Sequence, residues 1–322
     1  MHISILVSAK KAVLSVLTLL ITAMVLQAQS TAEQVLLTGT DTLYGTLELP
    51  ATGRQVPVVL FIAGSGPTDR DGNNPMMTNN VYRITADSLQ RRGIASLRYD
   101  KRGIGKSKTA GSREADLRFE HYINDAAAWI RMLKQDGRFS SVTVLGHSEG
   151  SLIGMIAAAQ AGADGFISAA GAGEPADQVL KRQLAQQAPQ LAETCNAIID
   201  SLKAGHTVTS VNPLLYSLFR PDVQPYLISW FRYDPQAEIA KLTIPTLIIQ
   251  GTTDLQVTTA DAAMLAKAQE KAQLKIITGM NHIFRDAPND VQQNFATYSN
   301  PDLPVNGEMI ALTSGFVDLL KK

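Results

Sequence analysis

Cysteine is nearly missing: Cys195 is the only one in 322 residues. That excludes an internal disulfide framework, a C-x-x-C redox pair and a thiolate-rich metal site. The lone residue reads as a small buried apolar side chain rather than a nucleophile. Net charge is missing too. The 29 basic and 29 acidic residues balance, which argues against nucleic acid or an anionic membrane surface as the main partner. Aromatic residues are sparse at 6%, and no internal repeat or low-complexity tract is present. Acidic residues do not occur before Glu33. In that stretch Lys10 and Lys11 precede an apolar run from Ala12 to Leu26, and Leu26-Gln27-Ala28 offers a small-residue cleavage site. These features describe a secretory signal peptide over residues 1–28. About fifteen apolar residues are short for a membrane span. The expectation is therefore a cleaved signal rather than an anchor, an exported periplasmic or extracellular protein, and no stable span after removal. The mature chain would carry a net charge of about −2.

Beyond residue 28 the pattern is that of an α/β chain. Gln34–Gly39 and Thr42–Leu49 predict a hairpin turning at Thr40-Asp41. Val56–Ile62 is a continuous apolar run, as in a strand covered on both faces. A polar loop, Ala63 to Asn74, leads to a helix over Asn79–Arg92. A strand over Ala95–Tyr99, a turn over Asp100–Ser107 and a helix over Phe119–Gln135 follow. Val142–Leu145 is the next strand, then a small-residue helix from Ser151, then a strand over Gly165–Ala170. Such alternation predicts a mostly parallel, doubly wound sheet. It stops at Gly171. Residues 171–242 show helical patterns, about Pro175–Gln187 and Pro189–Lys203, and no clear strand. They read as a helical cap insertion within a domain spanning 29–322. Strands return at Thr246–Gln250 and Leu274–Ile277, and a helix near Glu308–Leu320 closes the chain.

The chemistry centres on Gly146-His-Ser-Glu-Gly150, which is G-x-S-x-G between a strand and a helix. The five-residue motif recurs by chance in roughly one chain in ten of this length, so its weight comes from the flanking elements. A strand reversing sharply into a helix brings the positions two before and two after the apex together. Glycines there avoid collision, and the apex serine is pushed out where a base can reach it. The Glu149 amide, at the helix start, can meet an oxyanion.

A serine hydroxyl needs a base, and the base needs a carboxylate to fix its tautomer. His147 sits inside the elbow, His121 starts a helix, and His206 falls in the insertion. His282 lies in the loop after the last predicted strand, the end of an open α/β sheet that carries catalysts. Elimination makes His282 the base. Asp254 lies shortly past the strand 246–250 and is the candidate acid; the alternative for it is a helix cap. Asp261 is the nearest substitute but falls inside the helix. The order Ser148, Asp254, His282 is the order this fold uses. A second oxyanion amide belongs to the loop after Val56–Ile62, with Ser65 the candidate donor and Gly66 the runner-up. The competing reading there is a merely flexible turn.

Together these segments resemble the α/β-hydrolases. Within that superfamily the chain resembles bacterial carboxylesterases of the EstD-like group, which are similar to serine aminopeptidase-type hydrolases. The carriers are Ala63–Gly72, Asp100–Ser107, Gly146–Gly150, Gly251–Asp254 and Asn281-His282. The resemblance implies a Ser148 nucleophile, an Asp254–His282 pair, an oxyanion hole from the Ser65 and Glu149 amides, and an ester substrate cleaved without cofactor or metal. One departure stands out: many relatives have His-Gly in the oxyanion loop, where this chain has Ala63-Gly64. Asp100 and Arg102 are expected to hold a turn, and Asp69, Arg70 and Asp71 a salt-bridged loop. The Glu149 side chain has no assigned role. Tyr216, Phe219, Tyr226, Trp230 and Phe231 suit either an apolar pocket or the core of the cap. The rival functions are a peptidase, which needs an acidic site for a terminal amine, and a non-catalytic binding protein on the same fold.

Overall fold

Apolar runs become strands, and their order in space decides which loops meet. A computed structural model describes residues 30–38, 41–52, 55–108 and 113–320. The expected signal segment 1–28 lies outside the described residues, as does the tip of the predicted hairpin at 39–40. β1 (Ser30–Thr38), β2 (Asp41–Leu49), β3 (Val56–Ile62), β4 (Ala95–Tyr99), β5 (Phe139–His147), β6 (Gly165–Ala169), β7 (Thr246–Gly251) and β8 (Gln273–Ile277) form one sheet. Their order is β1-β2-β4-β3-β5-β6-β7-β8. β1 and β2 pair antiparallel, as do β2 and β4; every later pairing is parallel. This is the predicted doubly wound sheet with an N-terminal hairpin.

Alternation along a strand sends neighbours to opposite faces. In β3, Val58, Leu60 and Ile62 enter one core with α2 (Phe119–Gln135) and α3 (Glu149–Ala161). Val59 and Phe61 enter the other with α1 (Val81–Gln90) and α11 (Gly307–Asp318). Both faces are covered, so the strand is buried throughout. Between β6 and β7 lie α4 (Ala176–Gln187), α5 (Ala192–Lys203), α6 (Tyr216–Phe219), α7 (Gln224–Trp230) and α8 (Pro235–Ile239). Their apolar residues, among them Ile199, Phe219 and Ile239, continue the α2–α3 core.

Three of the boundaries that differ from the sequence reading have a plain physical cause. β1 starts four residues before Gln34, because antiparallel register with β2 rather than an apolar pattern holds it. β5 runs from Phe139 to His147, beyond the apolar run, because it pairs along the whole of β3. The helix predicted from Pro189 starts as a 3₁₀ turn over Pro189–Leu191 and becomes α5 only at Ala192. α9 (Thr259–Ala268) follows β7. α10 (Val291–Ala296) was not predicted; six largely exposed residues carry no readable period.

The winding sets up the site. The chain leaves β3 to build β4 on one side, then returns to build β5 on the other. Loops at the C-terminal ends of β3 and β5 therefore diverge and leave a crevice between them, the place where ligands bind in open α/β sheets.

Candidate active site

Ile62 and Gly146 are paired at the ends of β3 and β5, so the residues just beyond each end meet. Ser148 sits at the apex with φ 55° and ψ −121°, a backbone conformation that costs a non-glycine residue about 1–3 kcal/mol. The motif glycines permit it. A Cβ on Gly146 would fall 2.2 Å from the Gly150 carbonyl, and one on Gly150 would fall 2.2 Å from that of Ile62. A Cβ on Gly64 would stand 3.2 Å from that of Ser148. The loop after β3 thus lies directly against the apex serine.

Gln250 and Gly251 pair with Ile276 and Ile277, which brings the loops after β7 and β8 side by side. Asp254 Oδ2 and His282 Nδ1 are 2.8 Å apart, with both side chains buried. Asp254 also accepts from the Gln250 side chain and from the Gln256 and Val257 amides. Burial pushes its carboxyl up, but the His282 charge and these hydrogen bonds outweigh that and hold it below the usual carboxylate range. Asn281 pins the His282 loop by bonding Asn294 and Thr297 while accepting from the Ile283 and Arg285 amides. Asp261, the substitute acid, is occupied elsewhere: it caps α9 through Thr258 and binds Arg182. Among the described residues the Ser148 hydroxyl makes no hydrogen bond, and such contacts commonly tighten only when substrate is bound.

A cavity of about 610 Å³ opens on Ser148. Ser65, Gly66 and Glu149 line it, as do Leu152, Val179, Leu180, Leu227 and Val257. Asp254 and His282 are not among its lining residues, but Gln256 and Val257, whose amides Asp254 binds, are. No hydrogen bond from the Ser65 amide forms among the described residues. Glu149 is the first residue of α3, so its amide has no carbonyl one turn back inside the helix. The cap aromatics divide: Tyr226 and Trp230 line the cavity, Phe219 and Phe231 are fully buried core, and Tyr216 is exposed. Among the described residues no cluster of His, Cys, Asp and Glu could hold a metal ion, and no helix is long and apolar enough to cross a membrane.

Comparison with known proteins bears on the fold that carries these loops. Residues 77–220 match the family described as serine aminopeptidase, S33. The chain is 29% identical over 254 residues to Esterase EstD from Thermotoga maritima. That match covers 75% of this chain and 58% of the relative, so the chain spans less than two thirds of that protein. An esterase from Pyrococcus furiosus superposes with a TM-score of 0.61 at 16% identity, covering 92% of each chain. Est1E from Butyrivibrio proteoclasticus gives 0.58 at 16% identity, covering 89% of this chain and 98% of that one. The fold is that of an α/β-hydrolase.

Within this hydrolase fold, a buried polar network ties the loops after β3, β5 and β8 together. His147 Nε2 lies 2.8 Å from the His282 carbonyl, which can only accept, so Nε2 carries the proton. Nδ1 then accepts from the Tyr82 hydroxyl at 2.6 Å, and that hydroxyl accepts from the Gly64 amide. His147 is held neutral: burial, then the neighbouring His282, pushes its pKa down to about 3. Lys101 donates to the Gly64 carbonyl at 2.5 Å and lies 4.0 Å from the Glu149 carboxylate. Tyr226 of the cap donates to Glu149 as well. Burial lowers the Lys101 pKa and raises that of Glu149, each offset in part by the other's charge. The sequence reading missed Tyr82 and Lys101. Their only sequence signals were a tyrosine on a helix and an extra lysine in a turn.

Asp100 holds the turn as expected, binding the Lys106 amide, and also binds Arg70; Arg102 does not bond within the turn but reaches Asp125 on α2 and Asp41 on β2. Asp71 binds Arg98, and Asp69 accepts from the Asp71 and Asn73 amides.

Proposed function

We propose that this chain is a serine hydrolase of carboxylic esters acting through an acyl-enzyme. The observation that carries this reading is the strained Ser148 apex, placed against the Gly64 loop and facing a largely apolar cavity. His282, already oriented by Asp254, is the base. It accepts the Ser148 proton as the serine oxygen bonds to the ester carbonyl carbon. The Ser65 and Glu149 amides receive the resulting oxyanion, at a helix N-terminus that favours negative charge. His282 returns its proton to the leaving alcohol as the C–O bond breaks. In the second half it takes a proton from the water that attacks the acyl carbon, then gives that proton to the Ser148 oxygen as the acyl–serine bond breaks. The depressed Asp254 pKa keeps that carboxylate charged, so it stabilises the imidazolium in both halves. Esterase activity is also what the name of the Thermotoga relative states.

A peptidase reading draws on the matched family description. An aminopeptidase needs a free carboxylate for the substrate amine. Three line the cavity, and each is engaged: Glu114 with Arg220, Glu149 with Lys101 and Tyr226, and Glu174 with Arg182. The ester reading is favoured for that reason. Purified protein should turn over p-nitrophenyl butyrate and leave aminoacyl-anilides largely untouched. Ser148→Ala should lower ester turnover by at least about 10⁴-fold. Turnover that survives the substitution would discard the assignment.

A further inference from the structure

Among the described residues two cations line the cavity, Lys101 and Arg220, and the reaction above uses neither; Lys101 is the one bonded to the Gly64 loop. It is 1% exposed, so an unpaired charge there would be strongly destabilising. Its surroundings offset that cost with three contacts of different kinds. The ammonium donates to the Gly64 carbonyl. It faces the Glu149 carboxylate, and it stands 5.1 Å from the centre of the Tyr122 ring.

The Gly64 contact has a geometric consequence. Gly64 and Ser65 share a peptide unit that is planar and trans, so its carbonyl and its N–H point in opposite directions. Holding the carbonyl fixes where the Ser65 N–H is aimed. A cation on the carbonyl oxygen also draws electron density through the peptide and strengthens the N–H as a donor. The preceding amide, Gly64 N–H, is held by Tyr82. Both peptides flanking Gly64 are therefore anchored.

We propose that Lys101 is a positioning residue for the oxyanion hole: it sets the direction and donor strength of the Ser65 amide, with Glu149 as its counter-charge. Glu149 in turn accepts from Tyr226 on α7, so cap and oxyanion loop are joined through one carboxylate. This accounts for an acid directly after the nucleophile. The inference rests on the serine-hydrolase reading, and the controls separate the two.

The test is steady-state hydrolysis of p-nitrophenyl butyrate by the full mature chain, with kcat and KM measured separately. Lys101→Met keeps the length of the side chain and removes the charge. It should lower kcat by about 10²-fold, the low end for loss of an oxyanion donor. KM should stay within about threefold, because the interaction is made only in the transition state. Lys101→Arg should recover at least about tenfold of the loss by restoring a buried cation. A merely structural lysine would lower the melting temperature and leave kcat of the folded enzyme unchanged, which overturns the proposal. Should Lys101→Met fail to fold, Glu149→Gln decides. It leaves the lysine in place without its counter-charge, and a roughly tenfold fall in kcat is expected; wild-type kcat overturns the proposal. Ser148→Ala is run beside them. If it is inactive while Lys101→Met keeps full kcat, only the Lys101 role fails. If Ser148→Ala stays active, the serine-hydrolase reading fails and this inference with it.

Discussion

His147 shows at the scale of one residue how the site is paid for in acid sensitivity. It is buried and neutral in the fold, with its pKa pushed from 6.5 down to about 3. In the unfolded chain it titrates near its ordinary value. Between those two values the unfolded state binds a proton that the folded state does not. Stability is therefore unaffected by His147 above about pH 6.5 and falls as the pH drops below it. The slope from this one group is about 1.4 kcal/mol per pH unit. Urea unfolding of wild type and His147→Asn between about pH 6 and pH 4 should show the wild type losing stability more steeply by that amount. Parallel slopes would mean that the imidazole is not held neutral. The residues of the proposed triad were legible because each stands just past a strand end, a position that an apolar run marks in the sequence. Lys101 and Tyr82 were not legible. Their partners Gly64 and His147 lie 37 and 65 residues away, and only the folded sheet brings them together.

At the scale of elements, α7 forms part of the cavity wall. It is docked firmly: Ser229 accepts from the Phe119 amide, capping α2, and Trp230 stacks on the Phe119 ring with centroids 5.9 Å apart. The same helix presents Tyr226 and Trp230 to the cavity. Trp230→Ala should enlarge the cavity and raise kcat/KM for an octanoyl relative to an acetyl ester by about tenfold, within the range that one to a few methylenes discriminate. The measurement is a chain-length series on both proteins; an unchanged series would place the acyl group elsewhere. Loss of the Phe119 stack should also cost about 0.5–1.5 kcal/mol of stability beyond the lost burial. The division of the cap aromatics into cavity and core was not readable in advance. α6 and α7 are only four and seven residues long, separated by a 3₁₀ turn. Segments that short give no period from which to tell one face from another.

At the scale of the molecule, the sheet order does most of the work. Continuous apolar runs such as Val56–Ile62 and alternation with helices made the parallel sheet legible in the sequence. The N-terminal edge was less so. β1 carries many exposed side chains, and its first four residues are defined by pairing to β2, information that no local pattern holds. What the order accomplishes is convergence. The ends of β3 and β5 bring Gly64 against Ser148, and the ends of β7 and β8 bring Asp254 to His282. The His147 ring, bonded to the His282 carbonyl, links the two pairs. The claim that this convergence activates one serine is tested most directly by reacting the protein with a fluorophosphonate and locating the adduct by mass spectrometry. The account predicts one adduct per chain, on Ser148, formed at least about 10³-fold more slowly when His282 is replaced by Ala. A chain that stays unlabelled, or an adduct on any other residue, would contradict it.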